Sequence, residues 1–208
     1  MYQQHHFQEE RLGVMHDLIR AHPLATLVSY SKDGLAANHI PFVLHTDLSE
    51  RGTLRGHVAK GNPIWKGYDK SVEVLAVFQG PQHYVTPAWY PSKKEHGRTV
   101  PTWNYVVVHA YGPMTVVDDL DWLLEHLQTL TSQHEKGRDQ PWAVSDAPKD
   151  YIDRMLKGII GLELPITRLE GKWKVSQNRL EKDREGVVQG LRSEGTTSAA
   201  LMADLVSI

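Results

Sequence analysis

Residues 24–45 read LATLVSYSKDGLAANHIPFVLH. Apolar and β-branched residues flank Lys32-Asp33-Gly34, so the stretch predicts two strands joined by a hairpin turn. Upstream, residues 7–21 place Phe7, Met15, Leu18 and Ile19 at helical spacing, and His22-Pro23 closes that helix. Downstream, LRGHVA (54–59) is a strand that runs into Gly61-Asn62-Pro63, a breaker able to open a short helix. SVEVLAVFQG (71–80) is a further strand, ended by Gly80-Pro81, and HYVTPAWY (83–90) starts another extended piece. A polar loop at 91–102 precedes WNYVVVHAYGPMTVV, a strongly strand-forming run.

The period then changes. Leu120, Leu123, Leu124, Leu127 and Leu130 form a helical stripe that opens on Asp118-Asp119. A second helix, KDYIDRMLKGI, follows at 149–159. LELPITRLEGKWKVSQ is a last strand pair turning at Glu170-Gly171, and KDREGVVQGLRS a terminal helix. Most strand-to-strand connections are too short for helical crossovers, so the six or seven strands should pair antiparallel. The class is mainly β with peripheral helices, and a closed or split barrel would remove the exposed edges. One domain is expected over 1–208, with a helical insert at 118–160 and a C-terminal helical segment at 180–208.

The chain has 208 residues, a formal net charge of -2 and no cysteine. Disulfide scaffolds, thiolate metal sites and cysteine nucleophiles are thereby excluded, and a cytoplasmic location fits. The N-terminus has no secretory pattern and no apolar run spans a bilayer, so no membrane association is expected. Twelve histidines are present, but none lies in HExxH spacing, so they are read as surface or hydrogen-bonded groups rather than metal ligands. No nucleophile elbow, Walker loop or dinucleotide fingerprint occurs. Asp118-Asp119 is read as a helix cap.

Two segments carry chemistry. In Leu54–Pro63, Arg55, His57 and Lys60 precede a Gly-Asn-Pro turn, a combination of cations and donors that suits a phosphate; the alternative is a strand with charges facing solvent. Around the basic loop KKEHGR, Trp89-Tyr90 and Trp103-Asn104-Tyr105 could cover a flat aromatic ligand, or could simply fill core corners.

HIPF (39–42), LRGHVAKGNPIW (54–65), TPAWYPSKKEHGRTVPTWNYVVVHAYG (86–112) and GKWKVSQNR (171–179) resemble the PaiB family of FMN-binding negative transcriptional regulators. The resemblance spans nearly the whole chain. It implies an FMN-binding split β-barrel and a homodimer with flavin sites at the subunit interface. It also implies that His39, Ile40, Pro41 and Phe42 lie along the isoalloxazine edge, largely through backbone groups. Arg55, His57, Val58, Lys60 and Asn62 would surround the phosphate end. Trp103, Asn104, Lys174 and Gln177 would approach from the partner or close the site. Flavin-dependent oxidoreductases and haem-binding or haem-degrading proteins share this fold, so both stand as alternatives. DNA is a possible partner only through the stretch Arg168–Arg192, with seven Lys/Arg against four Asp/Glu, because residues 118–158 carry nine acidic and five basic residues.

Overall fold

The structure, a computed structural model, describes residues 1–207. Among the described residues, ten strands and seven α-helices make up two compact units. One unit is built from residues 19–78 and 109–169, the other from 1–18, 79–108 and the described residues from 170 onward.

In the first unit, β2 (Leu24–Ser31) and β3 (Gly34–Pro41) form the expected hairpin, in a register that sets Ser31 opposite Gly34 and Leu24 opposite Pro41. Gly34 adopts φ 104°, which is why the turn carries glycine. Ala25, Leu27 and Ser29 point into the core, while Leu24 and Tyr30 on the alternate face are exposed. The start of β6 (Val74–Val85) pairs with the other side of β2. A second antiparallel sheet has the order β4 (Val43–His45), β5 (Thr53–Ala59), β9 (Ile159–Pro165), β8 (Thr115–Val117). Helices α4 (Leu120–Glu135) and α5 (Lys149–Lys157) occupy the expected helical insert. The short α2 (Ile64–Gly67) follows the Gly-Asn-Pro breaker, and the Asn62 side chain accepts the Ile64 N–H at 3.0 Å.

In the other unit the strand order is β1 (Gln8–Glu9), β10 (Arg168–Lys174), β7 (Thr102–Gly112) and the end of β6. Its helices are α1 (Leu12–Ala21), whose last residues belong to the first unit, α3 (Ser92–His96), α6 (Glu181–Ser193) and α7 (Thr197–Val206). Asp183 on α6 is 5% exposed and accepts both the Ser92 N–H and its hydroxyl. Gly186 and Gly190 leave room for Trp89: a Cβ at Gly190 would lie 2.3 Å from the indole.

The architecture is mainly antiparallel β with several helices, and neither sheet closes into a barrel. Four expectations need correction. The first helix begins at Leu12, not Phe7, because Glu9 pairs in β1 and its carboxylate holds Arg11 through both backbone and side chain. Gly80-Pro81 does not end β6. The pairing with β2 stops at Val77, so Pro81 has no donor to lose there, and a Cβ at Gly80 would meet Val106 at 2.6 Å. Residues 91–102 are not all loop, because α3 lies within them. Glu170-Gly171 is not a turn but the middle of β10, where a Cβ on Gly171 would lie 2.9 Å from Met15.

Candidate functional site

The candidate residues divide between the two units. In the first, β5 alternates as its sequence requires: Arg55 and His57 share one face, and Leu54, Gly56 and Val58 are buried on the other. Ile40 and Phe42 are each 2% exposed and pack over Gly56, where a Cβ would stand 2.9 Å from the Phe42 ring. Their side chains and that of Val58 are core, so only backbone atoms of 40–42 remain for a ligand. His39 is exposed on β3, opposite Thr26, and Pro41 is half-buried. Among the described residues, no strand pairs beyond β3 in its sheet.

The Arg55/His57 face is neither open to solvent nor free for an anion, because α4 lies on it. Arg55 Nε donates to Glu163 at 2.7 Å, and its guanidinium stands 5.2 Å from the Trp122 ring. His57 Nδ1 and His126 Nε2 are 3.1 Å apart, and Trp122 stacks on His126. Gly161, opposite His57 on β9, makes this possible, since a Cβ there would lie 2.4 Å from the indole. Burial, and then the charges of His57, His45 and Arg55, push His126 down to about 3; burial also lowers His57. Both imidazoles are therefore neutral near pH 7.

Lys60, just past β5, is different. Its Nζ donates to Asp118 at 2.8 Å, with the lysine 35% and the aspartate 62% exposed. Its backbone is fixed, with N–H to the Gly158 carbonyl and C=O from the Trp65 indole. Asn62 gives its amide N–H to Asn38 at 2.7 Å. Asp119, the neighbour of Asp118, caps α4 through the Trp122 N–H. A groove of about 1040 Å³ between β4, α4 and residues 141–145 contains none of the candidate residues.

In the second unit, Trp103 is 54% exposed and meets Tyr84 edge-on at 5.9 Å. Lys174 donates to the Thr102 hydroxyl and to the Trp103 carbonyl. Asn104 is buried, and its amide exchanges hydrogen bonds with the Ser176 hydroxyl. Gln177 folds back on its own strand end, accepting from Val175 N–H and donating to the Trp173 carbonyl. Together these pin Ser176 at φ 66°, the one non-glycine residue among those described with positive φ. Burial, with the charges of Lys172 and Arg179, holds the Lys174 ammonium below the usual lysine range.

Sequence reasoning missed Trp122, His126, Lys172 and Arg179. For Lys172 the signal was present, since Lys-Trp-Lys places both amines on one face of a strand. Trp122 and His126 stand at i and i+4 on α4, off the leucine stripe, which makes them face one neighbour.

A family model described as "Putative FMN-binding domain" matches residues 1–168. Protease synthase and sporulation protein PAI 2 of Bacillus subtilis is 30% identical, covering 99% of this chain and 96% of that protein. A protein of Emericella nidulans, AN0679, is 36% identical over 95% of this chain and 93% of its own. The solved structure of the flavocytochrome Anf3 from Azotobacter vinelandii superposes with a TM-score of 0.62 at 13% identity, covering 89% of this chain and 78% of that one. That likeness gives the fold, the architecture of split-barrel flavin proteins. The PaiB resemblance read from the motifs therefore holds, and the chain belongs to the FMN-binding domain family, with FMN the cofactor for which that family is named.

Proposed function

We propose that the protein is a homodimeric cytoplasmic flavoprotein that binds FMN with its phosphate at the end of β5. The observation that carries this is the state of Lys60. Of the cations on that segment, Arg55 is locked between Glu163 and Trp122, whereas Lys60 is held only by an exposed carboxylate that an incoming dianion can replace. The Asn62 amide is the neighbouring donor. The backbone of His39, Ile40, Pro41 and Phe42 on the unpaired side of β3 suits the edge of the isoalloxazine, whose ring nitrogens and oxygens need donors and acceptors. Arg55, His57 and Val58 serve by holding β5 in place. Trp103, Asn104, Lys174 and Gln177 form the second group of residues offered to the flavin. Bound FMN supplies electron transfer.

The exposed face of the β2–β3 hairpin supports the homodimer. Leu24 and Leu35 are 62% and 78% exposed, and Tyr30 stands opposite Leu35 on the same face. A second copy is the natural cover for such a face on an end strand. The lack of cysteine fits a reducing compartment, and among the described residues no helix is long and apolar enough to cross a membrane.

Any regulatory role is indirect. In the basic stretch Arg168–Arg192, Lys182 pairs with Glu95, Arg192 lies 3.7 Å from Asp204, and Arg184 donates to the Val206 carbonyl. What remains is a compact turn, not a stripe that follows a duplex.

The test is the absorption spectrum of the purified protein, with identification of the chromophore released on denaturation. FMN is the expected result. A haem spectrum, or no uptake of added FMN, overturns the reading.

A further inference from the structure

The helical insert leaves its sheet at β8 and returns at β9, and those two strands are neighbours, with Val117 opposite Gly161. The two ends of the insert therefore meet at one place on the ladder, and α4 can lift without breaking a strand pairing. The seam it would lift from is crowded with imidazoles. His45 stands opposite Thr53, which shares a face of β5 with Arg55 and His57, so all of these lie on the side that α4 covers. From the helix, His126 brings Nε2 to 3.1 Å from His57 Nδ1.

A hydrogen bond between two imidazole nitrogens needs one proton, and the neutral pair already has it. A further proton finds no acceptor. His126 Nδ1 is buried with no hydrogen-bond partner, and so is His45 Nε2. Glu163, opposite Arg55 on β9, is committed to Arg55 at 2.7 Å. Asp47, Glu125 and Glu163 favour a charged His45, but burial and Arg55 outweigh them and hold it below the usual histidine range. Burial lowers His57. On His126, burial is reinforced by His57, His45 and Arg55. A charged imidazole in this seam is thus a buried cation beside another cation, and water is what relieves it.

We propose that His45, His57 and His126 form an acid-operated latch, which seats α4 on β4, β5 and β9 while the imidazoles are neutral and releases it when they take up protons, with the strands still paired. Trp122 moves with the helix, since it stacks on His126 and fills the space above Gly161. Release uncovers Arg55 and His57, so acid turns a sealed strand face into a cationic one. The latch does not rest on the FMN reading.

The test is hydrogen–deuterium exchange of the full-length protein between pH 7 and pH 4.5, with each segment corrected for the pH dependence of the chemical step. The lifted helix takes up a proton on His126 near 6.5, which the seated helix refuses down to about 3, so opening gains as pH falls. The opening constant of residues 123–133 should rise about tenfold per pH unit below 6.5 from His126 alone, and more steeply as the other two imidazoles join. The hairpin at 24–41 should change less than about twofold. His126→Gln keeps a hydrogen-bonding partner for His57 and cannot titrate, so it should remove about tenfold per pH unit of the response. His57→Gln carries the test should that variant fail to fold, and should also lower the slope. An α4 that opens no more at pH 5 than at pH 7 overturns the proposal. Acceleration spread evenly over hairpin and helix overturns it too, because that is general acid unfolding, as does an unchanged slope in a folded variant. A protein that takes up no FMN yet releases α4 in acid would sink the flavin reading and leave the latch standing.

Discussion

Lys60 and Asp118 should move FMN affinity in opposite directions. A lysine contact to a phosphate dianion is worth about 1.5–3 kcal/mol. Before making it, Lys60 must leave Asp118, and with the two side chains 35% and 62% exposed that pair is worth about 0–1 kcal/mol. The difference leaves about 0.5–3 kcal/mol, so Lys60→Ala should weaken FMN about 2–150-fold. Asp118→Asn removes the competitor and its repulsion of the phosphate, and should tighten FMN by up to about fivefold. Helix α4 keeps its cap in that variant, because Asp119 makes it. Flavin fluorescence quenching reads both constants, with riboflavin as control. Riboflavin lacks the phosphate and should change less than twofold in either variant. Equal losses for FMN and riboflavin in Lys60→Ala, or an Asp118→Asn protein that binds FMN no better than wild type, would show that the phosphate does not meet Lys60.

Leu35→Lys should turn the homodimer into monomer at micromolar concentration by charging the exposed hairpin face, as read by light scattering; an unchanged mass would place the interface elsewhere. Gly190→Ala should cost about 1–3 kcal/mol in denaturant unfolding, because the Trp89 ring occupies the space, whereas Gly13→Ala in α1 meets nothing within 4 Å and should stabilise by about 1 kcal/mol. Folded His126 stays neutral down to about 3 while the unfolded chain takes up a proton near 6.5, so stability should fall as pH drops through that window, by about 1.4 kcal/mol per unit for this group. His126→Phe should flatten thermal-melting curves between those pH values, and an unaltered slope would assign the acid sensitivity to other groups.

The hairpin at 24–45 is legible because its turn and its alternation agree, and a one-residue slip would reverse its faces. The alternation of Arg55 and His57 is equally legible, but what covers them is not, since Trp122 and His126 reach that face from a helix far along the chain. Glycine is the recurrent ambiguity. Gly34 marks a turn, whereas Gly80 and Gly171 mark close approach of a neighbour inside a strand, and the letter alone does not distinguish the two. The left-handed turn at Ser176, just past β10, is not legible either. That turn depends on Asn104 and Gln177, one of them distant in sequence.

The pairing of β1 with β10, which sets Gln8 opposite Lys172, has a consequence for synthesis. The unit that contains it joins residues 1–18 to residues from 170 onward, so it cannot be completed during synthesis until those later residues have emerged. Segments 19–78 and 109–169 are available earlier and can condense first. Until β10 arrives, Met15, almost fully buried in the finished fold and seated against Gly171, lacks part of its cover. That interval is the one in which a nascent chain is most exposed to aggregation and proteolysis, and closing so long a loop makes it slow to end.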